Sequence, residues 1–577
     1  MIIEFHERPI DRQAAAFLCQ GAHSSSSSLL RLVISLLSQA TGKGSICLEL
    51  SLIAGGTIPI AGAPSLTLPD FDQLIALFRS LESAGRPGEH RPLILDDEGR
   101  LYLYRYWRYE ESLSRAIRLR ASIICGDGDE PALLSGVERL FTLEALQQKV
   151  AASAAVHRAF TVISGGPGTG KTSTVVRIIA LLLEQPGGVE HRFALVAPTG
   201  KAAARLSAAI ASARDSISSL EPIRSAIPHE VSTIHRLLGS RPGRGGYRHS
   251  ASNPLPYDTV IVDEASMVDL PLMTALLSAL AADARLILLG DRNQLSSVEA
   301  GSVLGDICRA SEQHKGSPLD EAVVVLDRSF RFEEGSPIWE LSRAINTGND
   351  LKALRLLTES GSNALSWQEL SARDALQKML QHIVIDGYGE CLRAATPAEA
   401  ISLFERFRIL SALREGPFGI NALNRAVEQI LGRHGLINPH NEAYHGRPII
   451  ITANDYALQL FNGDTGVLFT DPAKDGRLMA YFPASDGTLR SIASERLPAH
   501  ETAYAMTVHK SQGSEFERVV LILPPADCEI LTRELIYTAV TRAKSSVEIW
   551  GSQAVLQTAV RKRIVRNSGL SQSLIAP

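Results

Sequence analysis

The six cysteines of this sequence stand far apart, at positions 19, 47, 125, 308, 391 and 528, and none falls in a CxxC or Cys/His spacing. That excludes a disulfide scaffold and leaves a zinc or iron–sulfur site without support; free thiols suit a reducing cytosol. Long apolar runs are also missing. Nothing approaches the roughly 20 residues of a membrane helix. The run Leu29–Leu37 carries Arg31 and follows Ser24–Ser28 instead of a basic N-terminus, so it does not read as a signal peptide. A soluble cytoplasmic protein with no membrane partner is expected. An excess of one charge is absent as well: 58 Lys+Arg stand against 62 Asp+Glu, a net charge of −4. Blanket electrostatic binding to nucleic acid is thereby excluded, and any such binding must use a local groove.

What is present is enough chain for several domains: 577 residues, 45% hydrophobic and 21% charged. The charge is unevenly spread. Between Gln13 and Phe78 the formal charges are Arg31, Lys43, Glu49, Asp70 and Asp72. This stretch reads either as a small, well-packed domain with Ser/Gly loops or as a surface covered by another subunit, because interface cores are poor in charge.

Residues 1–120 read as a mixed, mostly helical unit that ends in Leu101–Trp107, which alternates like a strand. From Phe160 a different rhythm begins, with short apolar runs at Phe160–Ser164, Phe193–Ala197, Thr259–Val262 and Leu286–Leu289 separated by helical segments. Each run ends in a Gly-, Pro- or Asp-bearing loop, the pattern of an α/β sheet with ligand loops at its carboxyl edge. A second α/β rhythm starts at Val323 and has runs at Arg408–Ala412, Val519–Leu523 and Val547–Trp550. It is interrupted by 446–497, whose strand-like pieces and Asn-Gly-Asp, Lys-Asp-Gly and Ser-Asp-Gly turns suggest a small β-barrel. The expected units are 1–120, 121–322 (with an insertion at about 240–257), 323–445 with 498–577, and the β insertion 446–497.

The stretch Gly165, Gly166, Pro167, Gly168, Thr169, Gly170, Lys171, Thr172 satisfies G-x-x-x-x-G-K-[ST], between an apolar strand and the helical Ser173–Leu183. Glycines let backbone N–H groups turn inward around phosphate oxygens, and the helix N-terminus adds partial positive charge. Lys171 would reach the β- and γ-phosphates of ATP, and Thr172 would ligate Mg²⁺. Asp263 and Glu264 close the strand 260–262. Asp263 suits the Mg²⁺ shell, while Glu264 suits orienting and deprotonating the attacking water. Gln294, in the loop after the next strand, can sense the γ-phosphate, since an amide both donates and accepts.

These motifs, with Ala197–Arg205, Thr233–Gly239, Gly290–Gly301, Arg328–Arg331, Thr507–Gly513 and Tyr537–Arg542, resemble superfamily-one helicases in order and spacing over about 400 residues. Gln148–Ala151, Val298–Asp306, Leu413–Gly419 and Leu460–Asp464 bring the resemblance closer to the RecD family, the exodeoxyribonuclease V alpha subunits of RecBCD helicase–nucleases. The resemblance implies an α/β fold with two RecA-like P-loop domains, parallel sheets flanked by helices, a small SH3-like β insertion and a separate N-terminal docking domain. It implies ATP in the cleft between the motor domains, 5′→3′ movement on single-stranded DNA from duplex ends, and RecB-like and RecC-like partners in a heterotrimer. Gln148 would read adenine. Ser173 would complete the phosphate loop, and Gly513 and Glu515 would contact the nucleotide from the second domain. Arg331 and Arg542, placed on that domain, would reach the γ-phosphate, so that hydrolysis waits for closure.

The family's DNA track, away from the ATP side, would run over Thr199, Lys201, Thr233 and His235 in the first domain and Thr507, His509 and Lys510 in the second. Hydroxyl, imidazole and backbone donors grip phosphates without reading sequence. Both histidines also read as buried helix-cap residues. Arg241–Tyr257 is a candidate strand-separating wedge or a plain surface loop. Arg561, Lys562, Arg563 and Arg566 read as a solvated helix face or a phosphate contact. A stand-alone RecD-like helicase would carry helix–hairpin–helix repeats, which this sequence does not display. No acidic cluster with nuclease spacing is seen, so degradation would be a partner's activity.

Overall fold

The computed structural model describes residues 7–20, 27–60, 63–125, 129–241, 245–359, 361–370, 373–455, 457–484 and 488–575. The N-terminal unit packs the helices Pro9–Leu18, Ser27–Gly42 and Phe71–Arg79 on a sheet ordered Cys47–Glu49, Arg100–Leu103, Leu93–Leu95, Ala84–Gly85. Its apolar residues turn inward. Leu30, Val33, Ile34, Leu37, Leu50, Ile58, Leu74 and Phe78 form one cluster with Leu93 and Leu101. The stretch between Gln13 and Phe78 thus has a core of its own, while Phe17 and Leu52 within it stay exposed. Part of Ser24–Ser28 lies outside the described residues.

The aromatic segment is not a strand to Trp107. The strand stops at Leu103, and Tyr104–Ala121 is helix. Alternation over a few residues cannot separate the end of a strand from the first turn of a helix, and here the helix prevails because it packs on Leu270–Ala279 of the next unit.

Two parallel sheets make the body of the molecule. The first runs Val323–Leu326, Phe160–Gly165, Arg285–Gly290, Thr259–Val262, Phe193–Ala197, Val231–Thr233. Its central strands are buried on both faces, which is why they read as unbroken apolar runs. The second runs Leu365–Glu369, Ala543–Gly551, Phe516–Ile522, Phe407–Ser411, Ala505–Thr507. The strand at Val323 was expected to open the second domain, but it pairs with the P-loop strand, Val323 to Val162 through Leu326 to Gly165. A four-residue apolar run carries no information about which sheet it joins.

The insertion is a five-stranded antiparallel sheet ordered Leu489–Ala493, Arg477–Pro483, Thr465–Asp471, Pro448–Ile451, His500–Thr502. Its last strand lies beyond the expected boundary at 497, and its half-buried polar residues give no strand pattern.

The C-terminus also departs from expectation. After the helix Gln553–Arg561 the chain leaves the second sheet's domain, and the helix Leu570–Ile575 packs on Val303–Gln313 and Tyr104–Ala121. Glu110 holds this return, accepting from Tyr102 (3.0 Å), Ser568 Oγ (2.8 Å) and the Gly569 N–H (3.0 Å). Burial pushes its carboxyl up to about 7. The basic cluster is paired within the chain, with the Arg561 and Arg563 side chains still facing solvent. Arg561 pairs with Asp350 at 2.6 Å and Lys562 with Asp527 at 3.3 Å. Arg563 lies 3.9 Å from Glu534, and Arg566 donates to backbone carbonyls. Among the described residues no helix is long and apolar enough to cross a membrane.

Candidate functional site

A cleft of about 370 Å³ opens where the carboxyl edge of the first sheet faces the second domain. That volume lies in the range of small-ligand sites. The P-loop forms its floor. Gly168 and Gly170 adopt φ of 77° and 78°, the left-handed region that glycine enters without cost. The helix Lys171–Glu184 then starts with its free N–H groups facing the loop. The Lys171 ammonium folds back on the loop, donating to the carbonyls of Gly165 (2.6 Å) and Gly166 (3.0 Å). Burial lowers its pKa, opposed by Asp291, Glu264 and Asp263. Pro167, Thr172 and Ser173 line the cleft beside it.

Asp263 and Glu264 face the loop from the end of their strand. Burial first, and Glu264 second, push the Asp263 carboxyl up to about 6. The Glu264 backbone is left-handed at φ 50°, an uncommon state for a residue with a Cβ. It is the kind of local strain that surrounding structure holds in place at functional positions. Gln294 lies buried at the cleft with its Oε1 unpartnered, while its amide N–H donates to Asp291 at 3.1 Å.

Four cations, Lys171, Arg205, Arg331 and Arg542, and three carboxylates, Asp263, Glu264 and Glu515, line this space. Glu515 is shared: Arg205 pairs with it from the first domain, and Arg331 donates to its Oε1 at 2.6 Å. Arg331 Nη1 is buried without a partner, and burial followed by Arg205 and Arg542 brings its pKa down to about 10. Arg542 is held by the carbonyls of Thr538 (3.1 Å) and Ser514 (3.2 Å). A pocket with surplus buried cationic donors is built for a polyanion. Thr172 and Asp263 offer only oxygen atoms, the donor set of a hard divalent cation such as Mg²⁺.

Several positions differ from expectation. Arg331 does not sit on the second domain proper. It rides on the segment joining the domains, which is bonded to the P-loop side: Phe330 N–H to the Gly168 carbonyl at 2.7 Å, Asp327 N–H to Gln147 at 2.8 Å, Arg328 to Glu144 at 2.7 Å. Gln148 is buried beneath the loop, donating to the Thr169 carbonyl at 3.1 Å, and does not line the cleft. Thr169 turns inward to the Gly166 carbonyl at 2.9 Å. Sequence reasoning passed over Arg205, one turn after Lys201 on the helix Gly200–Asp215, and the half-exposed Phe330. It also passed over Tyr537, whose hydroxyl donates to Asp291 at 2.9 Å. The i,i+4 spacing of Lys201 and Arg205 was the available signal for the first.

The seven positions expected to meet DNA are dispersed along the carboxyl edges. Thr199 and Thr233 cap the helices after adjacent strands, accepting from Ala202 and Arg236 at 3.2 Å each. They lie three and four strands from the P-loop strand. His235 is exposed and tilts over Tyr247 at 6.2 Å. Lys201 is half-buried beside the insertion; burial, then Arg408, brings its pKa down to about 8. Thr507 accepts from the Lys510 N–H at 3.3 Å, and Lys510 pairs with Glu501 at 3.4 Å. His509 is half-buried, and burial lowers its pKa. Of the wedge candidate, 242–244 lie outside the described residues, while Leu255 and Tyr257 pack into the first domain's core.

Paired parallel sheets with a P-loop and an arginine-rich cleft between them define a two-domain P-loop nucleotide-binding motor. Family models match in three places: an AAA domain over 148–300, a UvrD-like helicase C-terminal domain over 502–549, and the RecBCD enzyme subunit RecD, N-terminal domain, over 7–102. The RecBCD enzyme subunit RecD of Mycolicibacterium smegmatis is 39% identical over 552 residues, covering 94% of this chain and 93% of that protein. Its counterpart in Haemophilus influenzae is 34% identical, covering 82% and 80%. The ATP-dependent RecD2 DNA helicase of Deinococcus radiodurans is 32% identical over 83% of this chain but only 59% of its own length. This chain belongs to the RecD family.

Proposed function

We propose that this protein is the 5′→3′ single-stranded DNA motor of a RecBCD-type helicase–nuclease, working in the cytoplasm with RecB-like and RecC-like subunits on duplex ends in recombinational repair of double-strand breaks. The observation that carries the reading is the cleft itself, in which a P-loop from one domain meets Arg331, Arg542 and Glu515 at the boundary with the other. The near-complete, reciprocal coverage of RecBCD subunits favours this reading over a stand-alone helicase of the RecD2 kind, of which the chain spans little more than half.

ATP binds with its phosphates on the P-loop, replacing the loop carbonyls as partners of Lys171. Thr172 and Asp263 would hold Mg²⁺, which would supply positive charge against the phosphates. Glu264 orients and deprotonates water, and Gln294 offers its free Oε1 to that water. The unpartnered Arg331 Nη1 and the fixed Arg542 fork stabilise charge on the transferring phosphoryl group. Because Glu515 and Arg542 belong to the second domain, the full set assembles only when the cleft is shut. Opening and closing then move the grips Thr199, Lys201, Thr233 and His235 relative to Thr507, His509 and Lys510.

The test is affinity capture of wild type and Lys171→Ala from a native extract, followed by hydrolysis assays. Both should bring down two larger subunits. The variant chain, re-purified alone, should lose DNA-stimulated hydrolysis. Full ATPase in that variant, or capture without partners, refutes the corresponding half.

A further inference from the structure

Among the described residues the chain crosses between the two motor domains at two places. The outward crossing runs from Leu326, in the first sheet, to the helix Pro337–Asn346 on the second domain. The return follows Arg561 and is very short. Ile564 is still held by the second domain, its N–H donating to Glu534 at 3.1 Å, with the Lys562 carbonyl accepting from Arg533 at 2.9 Å. Arg566 is already held by the first. Its guanidinium donates to the carbonyls of Ser297 (2.6 Å), Gly301 (2.8 Å) and Glu299 (3.0 Å). Only Val565, 75% exposed, stands between. Two steps of about 3.8 Å keep the Cα atoms of Ile564 and Arg566 within roughly 8 Å in any state of the cleft.

The gripped loop is the one that carries Gln294. Its near end is bonded to the second domain, Leu295 N–H to Thr538 at 3.0 Å and Gln512 to the Leu295 carbonyl at 2.8 Å. Its far end is held by Arg566 and by the Gly44 carbonyl, which accepts from the Gly301 N–H at 3.0 Å. The next residue, Asn567, accepts from the Ile46 N–H at 2.7 Å, so the same grip reaches the N-terminal unit.

We propose, on the motor reading above, that the crossing at Val565 is the second hinge strand of the motor. In this arrangement Arg566 is a positioning residue that keeps the Gln294 loop in register with the cleft as the domains move. Two crossings define an axis. With both intact, closure is a rotation about that axis and returns Gln294 to one position each cycle. With one slackened, the second domain can also slide, and shutting the cleft no longer aligns the loop. Arg566 acts through backbone carbonyls and touches no reacting atom.

The experiment lengthens the strand without removing a contact: Gly-Ser-Gly is inserted between Val565 and Arg566 of the full chain, with Arg566→Ala and Arg566→Lys made in parallel. ATP hydrolysis is measured with and without DNA, base pairs unwound per ATP are counted, and thermal melts check folding. The insertion should leave the KM for ATP within about twofold while kcat falls about tenfold and unwinding per ATP drops. Arg566→Ala should follow, and Arg566→Lys should recover only part of kcat, since one ammonium nitrogen keeps the charge but not the planar spread by which Nη1 and Nη2 reach three carbonyls. Failure of Arg566→Ala to fold leaves the insertion to decide. A folded insertion variant with wild-type kcat and unwinding per ATP overturns the proposal alone. Absence of DNA-stimulated hydrolysis in the unaltered chain overturns the motor reading and this proposal together.

Discussion

Replacing Arg331 by alanine should separate catalysis from stability. Its bonds are few: Nη2 to Glu515 at 2.6 Å, and nothing for the buried Nη1. Glu515 keeps Arg205 when Arg331 is gone, and two neighbouring cations lose a like charge. The chain therefore loses one partly exposed ion pair, worth at most about 1 kcal/mol, and is relieved of an unpaired donor. The melting temperature should move by less than about 4 °C. Catalysis should respond differently. If Nη1 is reserved for the γ-phosphate in the transition state, its loss costs roughly 10³–10⁵ in kcat, about 4–7 kcal/mol of barrier. The KM for ATP should change little, because Lys171 and the loop bind the ground state. Arg331→Lys should remain far below wild type, since it keeps the charge but not the fork. The assay is steady-state DNA-stimulated hydrolysis beside a thermal melt. A kcat within tenfold of wild type, or a collapse of the melting temperature with kcat preserved in the folded fraction, would show Arg331 to be a structural ion pair.

Two further outcomes follow from the cleft. With its carboxyl raised to about 6, Asp263 is increasingly protonated as pH falls through that value, so the Mg²⁺ needed for half-maximal hydrolysis should rise about tenfold per unit below pH 6 and level off above pH 7; titrations from pH 5 to 8 check this, and a flat requirement excludes Asp263 as the cation's ligand. In Gly168→Ala, a Cβ at φ 77° costs about 1–2 kcal/mol and would overlap the Cβ of Arg331, so both the affinity for a fluorescent ATP analogue and kcat should fall; unchanged binding would mean the loop does not cradle phosphate.

The sequence by itself determined the parts whose causes are local. The apolar runs at Phe193–Ala197 and Thr259–Val262 are strands over those same residues, because burial on both faces demands a near-continuous run without charge. The glycines of 165–170 imply a loop that only their backbone freedom allows, and the carboxylates at a strand end follow from the same reasoning. Tertiary structure decided what depends on distant partners. Arg205 meets the Gly513 carbonyl across 308 residues of chain, and no periodicity records that pairing. The strand at Val323 joins the first sheet, Arg331 rides the crossing, and the C-terminal residues return to the first domain to grip the Gln294 loop. Each of these is a choice among apolar or charged surfaces that look alike locally. They are settled by which faces remain unburied once the sheets have formed.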